Sequence, residues 1–134
     1  MKQYKRVFLI DDDETLNEIH SKILRFAGYQ GRLSLFKNGQ DALDEVHETI
    51  VQSDDFPDLI FLDINMPGID GWTFLKEFER LILPISVSPH VYILSSYVTP
   101  AETEKMRAQN HKSVKKVLSK PFTIRQLKML IGSE

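Results

Sequence analysis

The chain predicts a doubly wound α/β fold with a five-stranded parallel sheet in the order 2-1-3-4-5, and three observations carry that expectation. Short apolar runs alternate with segments of helical period along all 134 residues, as βα units around a parallel sheet require. VFLI (7–10), LIFL (59–62) and VYIL (91–94) are apolar without interruption, the pattern of strands covered by helices on both faces. RLSLF (32–36) alternates and VLS (117–119) is very short, which places those two at the edges. Finally, four of the five runs end on residues suited to phosphate or metal chemistry: Asp11-Asp12-Asp13, Asp63, Ser95-Ser96 and Lys120-Pro121. Such groups gather at the carboxyl ends of parallel strands, and this strand order puts the switch point where Asp11, Asp12 and Asp63 would meet.

The helices follow in turn. After the first strand, Leu16, Ile19, Ile23, Leu24 and Ala27 keep the 3.6 period of a helix from about Glu14 to Ala27, and Gly28 supplies a C-terminal stop where a left-handed backbone is tolerated. A second helix begins after Asn38-Gly39 and turns Ala42, Leu43, Val46 and Ile50 inward. A third follows Gly71, with Asp70 as its cap and Phe74, Leu75, Phe78 and Ile82 on its apolar face. RLILPISVSPH, from Arg80 to His90, has two prolines and little periodicity, so it reads as a long connection to the fourth strand. Thr99-Pro100 pairs a capping hydroxyl with proline at the first helical position and opens a polar fourth helix to about Gln109. The last helix runs from Thr123 through Ile131. Composition does not shift along the chain, and no repeat is visible, so one domain over 1–134 is expected.

Composition narrows the function. There is no cysteine, which excludes disulfides, thiolate zinc sites and thiol redox chemistry. A net charge of −2 with scattered Lys and Arg gives no footprint for direct nucleic-acid binding. No apolar run approaches a membrane span, and MKQYKRVFLIDDDE meets acids too early for a signal peptide. The expectation is a cytoplasmic protein with no membrane contact.

The strand-end residues suggest a metal and a phosphoryl group together. Asp11, Asp12 and Asp63 in one crevice repel one another strongly unless a cation relieves them. Magnesium suits oxygen ligands and is often held by one or two carboxylates plus phosphate oxygens. Asp12 and Asp63 are assigned as direct ligands, Asp11 acts through water, and Asn65 lends its backbone carbonyl. The turn-forming stretch Ile64-Asn65-Met66-Pro67-Gly68 would hold Asp63 exposed at the strand end, where a carboxylate can act as a nucleophile. Ser95 can donate to one phosphoryl oxygen while the Lys120 ammonium neutralises another. A cis Lys120-Pro121 bond would turn the chain sharply and aim the lysine into the crevice. Asp13 fits a role at the start of the first helix. The histidines His20, His47, His90 and His111 show neither metal-ligand spacing nor partner acids at useful offsets, and are expected at the surface or edge. Trp72 reads as packing. Lys112, Lys115 and Lys116 read as a solvated turn, with a partner-docking edge as the sharper alternative.

The set IDDD (10–13), LDINMPGIDG (62–71), LSS (94–96) and SKPF (119–122) resembles the receiver domain of two-component response regulators, over essentially the whole chain. The resemblance implies a flavodoxin-like (βα)5 fold, and a domain that catalyses only its own phosphorylation and dephosphorylation and is otherwise no enzyme. It implies Asp63 as acceptor of a phosphoryl group from a sensor histidine kinase or histidine phosphotransfer protein, with Mg2+ as cofactor. Asp11 and Asp12 become the acid pair, Ser95 the switch hydroxyl and Lys120 the phosphoryl-contacting lysine. It further implies a stand-alone receiver that docks a downstream protein on the face of fourth helix, fifth strand and fifth helix, and it allows a homodimer. One position departs: the family commonly carries Phe or Tyr three residues before the lysine, and here that residue is Val117. Ser96 and Tyr97 then become the loop through which switching could run, with Tyr97 as a substitute aromatic.

Two rival readings compete with the receiver resemblance. Asp11-Asp12-Asp13-Glu14-Thr15 also resembles the DxDxT opening of haloacid-dehalogenase-type phosphatases, with Asp11 as nucleophile and Asp13 as general acid. That family needs acids after the lysine, and beyond Lys120 only Glu134 is acidic. A pseudo-receiver that is never phosphorylated is disfavoured because acids, hydroxyl and lysine are all present.

Overall fold

The computed structural model describes residues 4–52, 55–96, 99–101, 103–104 and 111–131. Five strands form one parallel sheet: β1 (Arg6–Ile10), β2 (Arg32–Phe36), β3 (Leu59–Asp63), β4 (His90–Ser95) and β5 (Val114–Ser119). Their order is β2-β1-β3-β4-β5, as the run of apolar and alternating segments predicts. The central strands β1, β3 and β4 are buried almost throughout, whereas β2 and β5 are partly exposed edges.

Successive residues of each central strand face opposite sides of the sheet, and each side has its own apolar layer. Phe8, Ile10, Ile60, Leu62, Val91 and Ile93 pack against α2 (Gly39–Gln52) and α3 (Gly71–Ile82) through Ala42, Val46, Phe74, Leu75 and Phe78. Val7, Leu9, Leu59, Phe61, Tyr92 and Leu94 face Leu24 of α1 (Glu14–Phe26) and Leu127 of the C-terminal helix (Ile124–Ile131). Two layers explain why the central runs carry no polar residue, since neither face meets water. Trp72 belongs to the first layer at 8% exposure, as expected.

Local signals end the elements where the sequence places them. The Asp13 side chain accepts the Leu16 N–H at 3.0 Å and caps α1, and that of Asp70 accepts the Thr73 N–H at 2.8 Å and caps α3. Gly28, at φ +104°, closes α1. Thr99 precedes helical backbone that opens at Pro100, and Thr103 donates its N–H to the Thr99 carbonyl. The end of this helix at about Gln109 and the aromatic candidate Tyr97 lie outside the described residues.

Three expectations need correction. The inward face of α1 is rotated from the apolar one: Asn17, His20 and Leu24 are buried, while Ile19 is 41% exposed. The connection before β4 is shorter than Arg80 to His90, because α3 runs to Ile82 and β4 starts at His90. The histidines are also not uniformly peripheral. His20 is fully buried, and His111 holds Glu79 at 2.7 Å while Ser113 donates to the second Glu79 oxygen at 2.6 Å. The acid lies 32 residues away in sequence, so no short offset could reveal it. Buried Arg6 is a further surprise, satisfied by Ser34, the Asp55 carbonyl and Glu45 at 2.9 to 3.1 Å.

Candidate functional site

Strand register brings the chemistry together. Ile10 pairs with Leu62, Asp63 with Leu94, and Ser95 with Ser119. Asp11, Asp63, Ser95 and Lys120 therefore stand within about one residue of a common level at the carboxyl edge. The expected acidic cluster forms there: oxygens of Asp11, Asp12 and Asp63 lie within 4.8 Å of one another. Asp11 is buried and Asp12 exposed.

Lys120 links the two buried acids. Its Nζ lies 3.2 Å from Asp11 Oδ2 and 3.2 Å from Asp63 Oδ1, and its own N–H donates to the Ser95 carbonyl at 2.8 Å. The Lys120-Pro121 bond is cis, as expected from the sequence. Asp11 Oδ1 accepts the Asp13 N–H at 2.9 Å, and Asp63 Oδ1 accepts the Asn65 N–H at 3.3 Å. Asp63 Oδ2 is buried with no hydrogen-bond partner among the described residues. A buried carboxylate oxygen left open in this way is fitted to take a cation or form a bond.

Asp63 is not exposed, as its position before a turn suggested, but 1% accessible. Lys120 and Asp11 close over it, and the start of α3 backs it. A Cβ on Gly71 would lie 2.5 Å from the Asp63 carbonyl oxygen and 2.7 Å from Ile64 Cα, so only glycine lets the helix approach this closely. Burial first, and the Asp11 charge second, push the Asp63 carboxyl up to about 7 against the pull of Lys120. Burial works against the charge on Lys120, yet Asp11 and Asp63 hold its ammonium above the ordinary range.

Ser95 is buried at the end of β4, and Asn65 is exposed on the turn after Asp63. Val117 pairs with Ile93 and packs partly buried on the α2/α3 side. Sequence reasoning missed Asn17, whose Nδ2 donates to the carbonyls of Asp11 and Phe36 at 3.1 Å each and so fixes the end of β1 against β2. The available signal was polar: Asn17 and His20 stand at helical spacing ahead of Leu24.

A family model described as response regulator receiver domain matches residues 7–132. The chain belongs to that family. Its receiver fold is shared with a two-component response regulator from Cytophaga hutchinsonii, at TM-score 0.85 and 30% identity over 98% of this chain and 96% of that one. A receiver domain of an Arabidopsis thaliana histidine kinase, solved in complex with Mg2+, has the same fold at TM-score 0.81 and 24% identity, with 96% and 90% of the two chains covered. Among curated proteins, a transcriptional regulatory protein of Bacillus subtilis (strain 168), CssR, is 27% identical over 90% of this chain and 47% of its own length. The receiver spans less than half the length of such relatives. Receiver domains are the phosphoacceptors of two-component signalling and receive their phosphoryl group from histidine kinases. They bind Mg2+ at an acidic pocket, and the Asp11, Asp12 and Asp63 cluster is present here. Among the described residues no helix is long and apolar enough to cross a membrane.

Proposed function

We propose that Asp63 is the phosphoacceptor of this receiver, and that Asp11, Asp12, Lys120 and Ser95 catalyse its modification. The observation that carries the reading is the Lys120 bridge, 3.2 Å from both Asp11 and Asp63, beside a buried Asp63 oxygen with no partner among the described residues. Asp63 attacks phosphorus with one carboxylate oxygen. The bond from phosphorus to the donor breaks, and its electron pair leaves on the imidazole of a phosphohistidine, or on acetate when acetyl phosphate is the donor. Lys120 already sits at the acceptor and neutralises charge on the transferred group, and the Ser95 hydroxyl donates to another phosphoryl oxygen.

Mg2+ fits the donor set, which is all oxygen and carries an open buried lone pair. Asp11, Asp12 and Asp63 would hold it, with the Asn65 carbonyl as a further donor. When bound, the ion offsets the charge of the acids and of the phosphoryl oxygens. The donor protein is a sensor histidine kinase or a histidine phosphotransfer protein. Phosphorylation shifts the surface around β5 and its flanking helices toward a form that a downstream protein binds. With Val117 in place of an aromatic, that shift runs through Ser95 and the segment after it.

Intact mass after incubation with Mg2+ and acetyl phosphate tests the assignment. The expected result is a Mg2+-dependent gain of one phosphoryl group, stable in mild acid and labile in base, that disappears in Asp63→Asn and falls in Asp11→Asn. Label retained in Asp63→Asn moves the nucleophile elsewhere, with Asp11 next. No label with any donor removes phosphorylation as the working principle.

A further inference from the structure

The geometry points to His20 as a positioning residue that holds the turn carrying Lys120, so that the ammonium stays on Asp11 and Asp63. This rests on the reading of Lys120 as part of the phosphorylation machinery. His20 lies on α1, far in sequence from Lys120, and is completely buried. Its Nε2 accepts the backbone N–H of Phe122 at 3.3 Å across 102 positions of sequence. Its ring also stacks on Phe122, with centroids 4.0 Å apart and planes 12° from parallel. Phe122 is pinned on another side by Phe61, 4.8 Å between centroids. Phe61 lies two residues before Asp63 on β3, so the phenylalanine two residues after Lys120 is clamped between α1 and the acceptor strand.

Nε2 can accept only if the ring is neutral with its hydrogen on Nδ1. Burial first, and the Lys120 charge second, lower the His20 pKa to about 4, while Asp13 opposes this weakly. The acceptor state therefore persists at neutral pH. Nδ1 is buried with no partner among the described residues, a desolvation burden that an aliphatic side chain would avoid. Packing alone would favour leucine here. The imidazole supplies what leucine cannot, an acceptor for the Phe122 N–H combined with a flat face for its ring.

Positioning makes a prediction that plain stability does not. His20→Leu keeps the approximate volume and removes the acceptor; His20→Gln keeps an acceptor and removes the flat ring. Phosphorylation of the full chain by acetyl phosphate with Mg2+ is followed by intact mass in the Lys120 and Lys120→Ala backgrounds. His20→Leu is expected to slow labelling about tenfold when Lys120 is present and less than twofold when it is absent, with His20→Gln recovering most of the loss. Equal slowing in both backgrounds, or no slowing in either, overturns the proposal. The Lys120 ammonium 15N resonance reports independently of phosphorylation. Held between two carboxylates, it is expected to be visible in the wild-type chain at low temperature, lost to solvent exchange in His20→Leu, and retained in His20→Gln. An unchanged resonance in His20→Leu overturns the proposal even if Asp63 takes no label, whereas absence of label with a resonance that responds defeats only the phosphoacceptor reading.

Discussion

Replacing Asp63 by asparagine should stabilise the metal-free protein, and by more as the pH rises. The folded protein holds the Asp63 proton to about 7, against an ordinary value of 3.8. The folded state therefore binds more protons than the unfolded chain between those values, and stability falls as pH climbs from about 4 to about 7. The loss is complete above the folded pKa and absent below the unfolded one. A difference of roughly three units corresponds to a ceiling of about 4 kcal/mol at 1.4 kcal/mol per unit. That difference already contains the pull of Lys120, and the asparagine amide is itself a buried polar group with a desolvation cost of its own, so about 2 kcal/mol is expected near pH 8. Urea unfolding in EDTA, followed by the fluorescence of the single tryptophan, Trp72, measures it directly. The advantage of the variant should shrink toward zero as pH falls to about 4, and Mg2+ should narrow it at pH 8 by stabilising the wild type more than the variant, which lacks one of the three carboxylates. A variant less stable than wild type at pH 8 in EDTA, or an advantage independent of pH, would refute the account of Asp63 as a carboxylate strained by burial and by Asp11.

Three further outcomes follow from the same geometry. Apparent Mg2+ affinity, measured by calorimetry, should fall by up to about tenfold per pH unit below 7, because the ion competes with the Asp63 proton; affinity that is flat from pH 8 to 6 would contradict this. Gly71→Ala forces a methyl into the backbone of Asp63 and Ile64 and should lower stability by about 3 kcal/mol in denaturant melts while also slowing labelling. Asp13→Ala removes the cap of α1 and should lower stability by about 1 kcal/mol with labelling of Asp63 intact, whereas loss of labelling would favour the phosphatase assignment of Asp13 as a general acid.

The sheet order was legible because continuous and alternating apolar runs distinguish central from edge strands, and β1, β3 and β4 obey that rule on both faces. The acids, Ser95 and Lys120 were legible because each directly follows or ends such a run. Burial of Asp63 was not, since it depends on how closely α3 approaches at Gly71, a distance no local pattern encodes. Nor was the role of α1. Its apolar period pointed to Ile19, but hydrogen bonds from Asn17 to two carbonyls and to His20 from Phe122 turn a polar ridge inward. Periodicity weighs only hydrophobicity, so it misreads a helix whose buried face carries hydrogen bonds. Glu79 with His111 is unreadable for a different reason, since the pair joins segments 32 residues apart in sequence that meet only once the chain has folded.

The pairing of β4 with β5 carries one irregularity whose effect is felt at the other end of the strands. Val91 stands opposite Val114, but Tyr92 stands opposite Lys116, and regular pairing then runs on to Ser95 opposite Ser119. One residue, Lys115, has been slipped into β5 at its beginning. Were the ladder regular from Val114 onward, Leu118 would stand beside Ser95, and Lys120 would overshoot the acids by a residue, with inward and outward side chains exchanged along the strand. The bulge thus works as a spacer that sets how far the ammonium reaches, and the depth of the Lys120 charge is fixed by a surface residue about the length of a strand away.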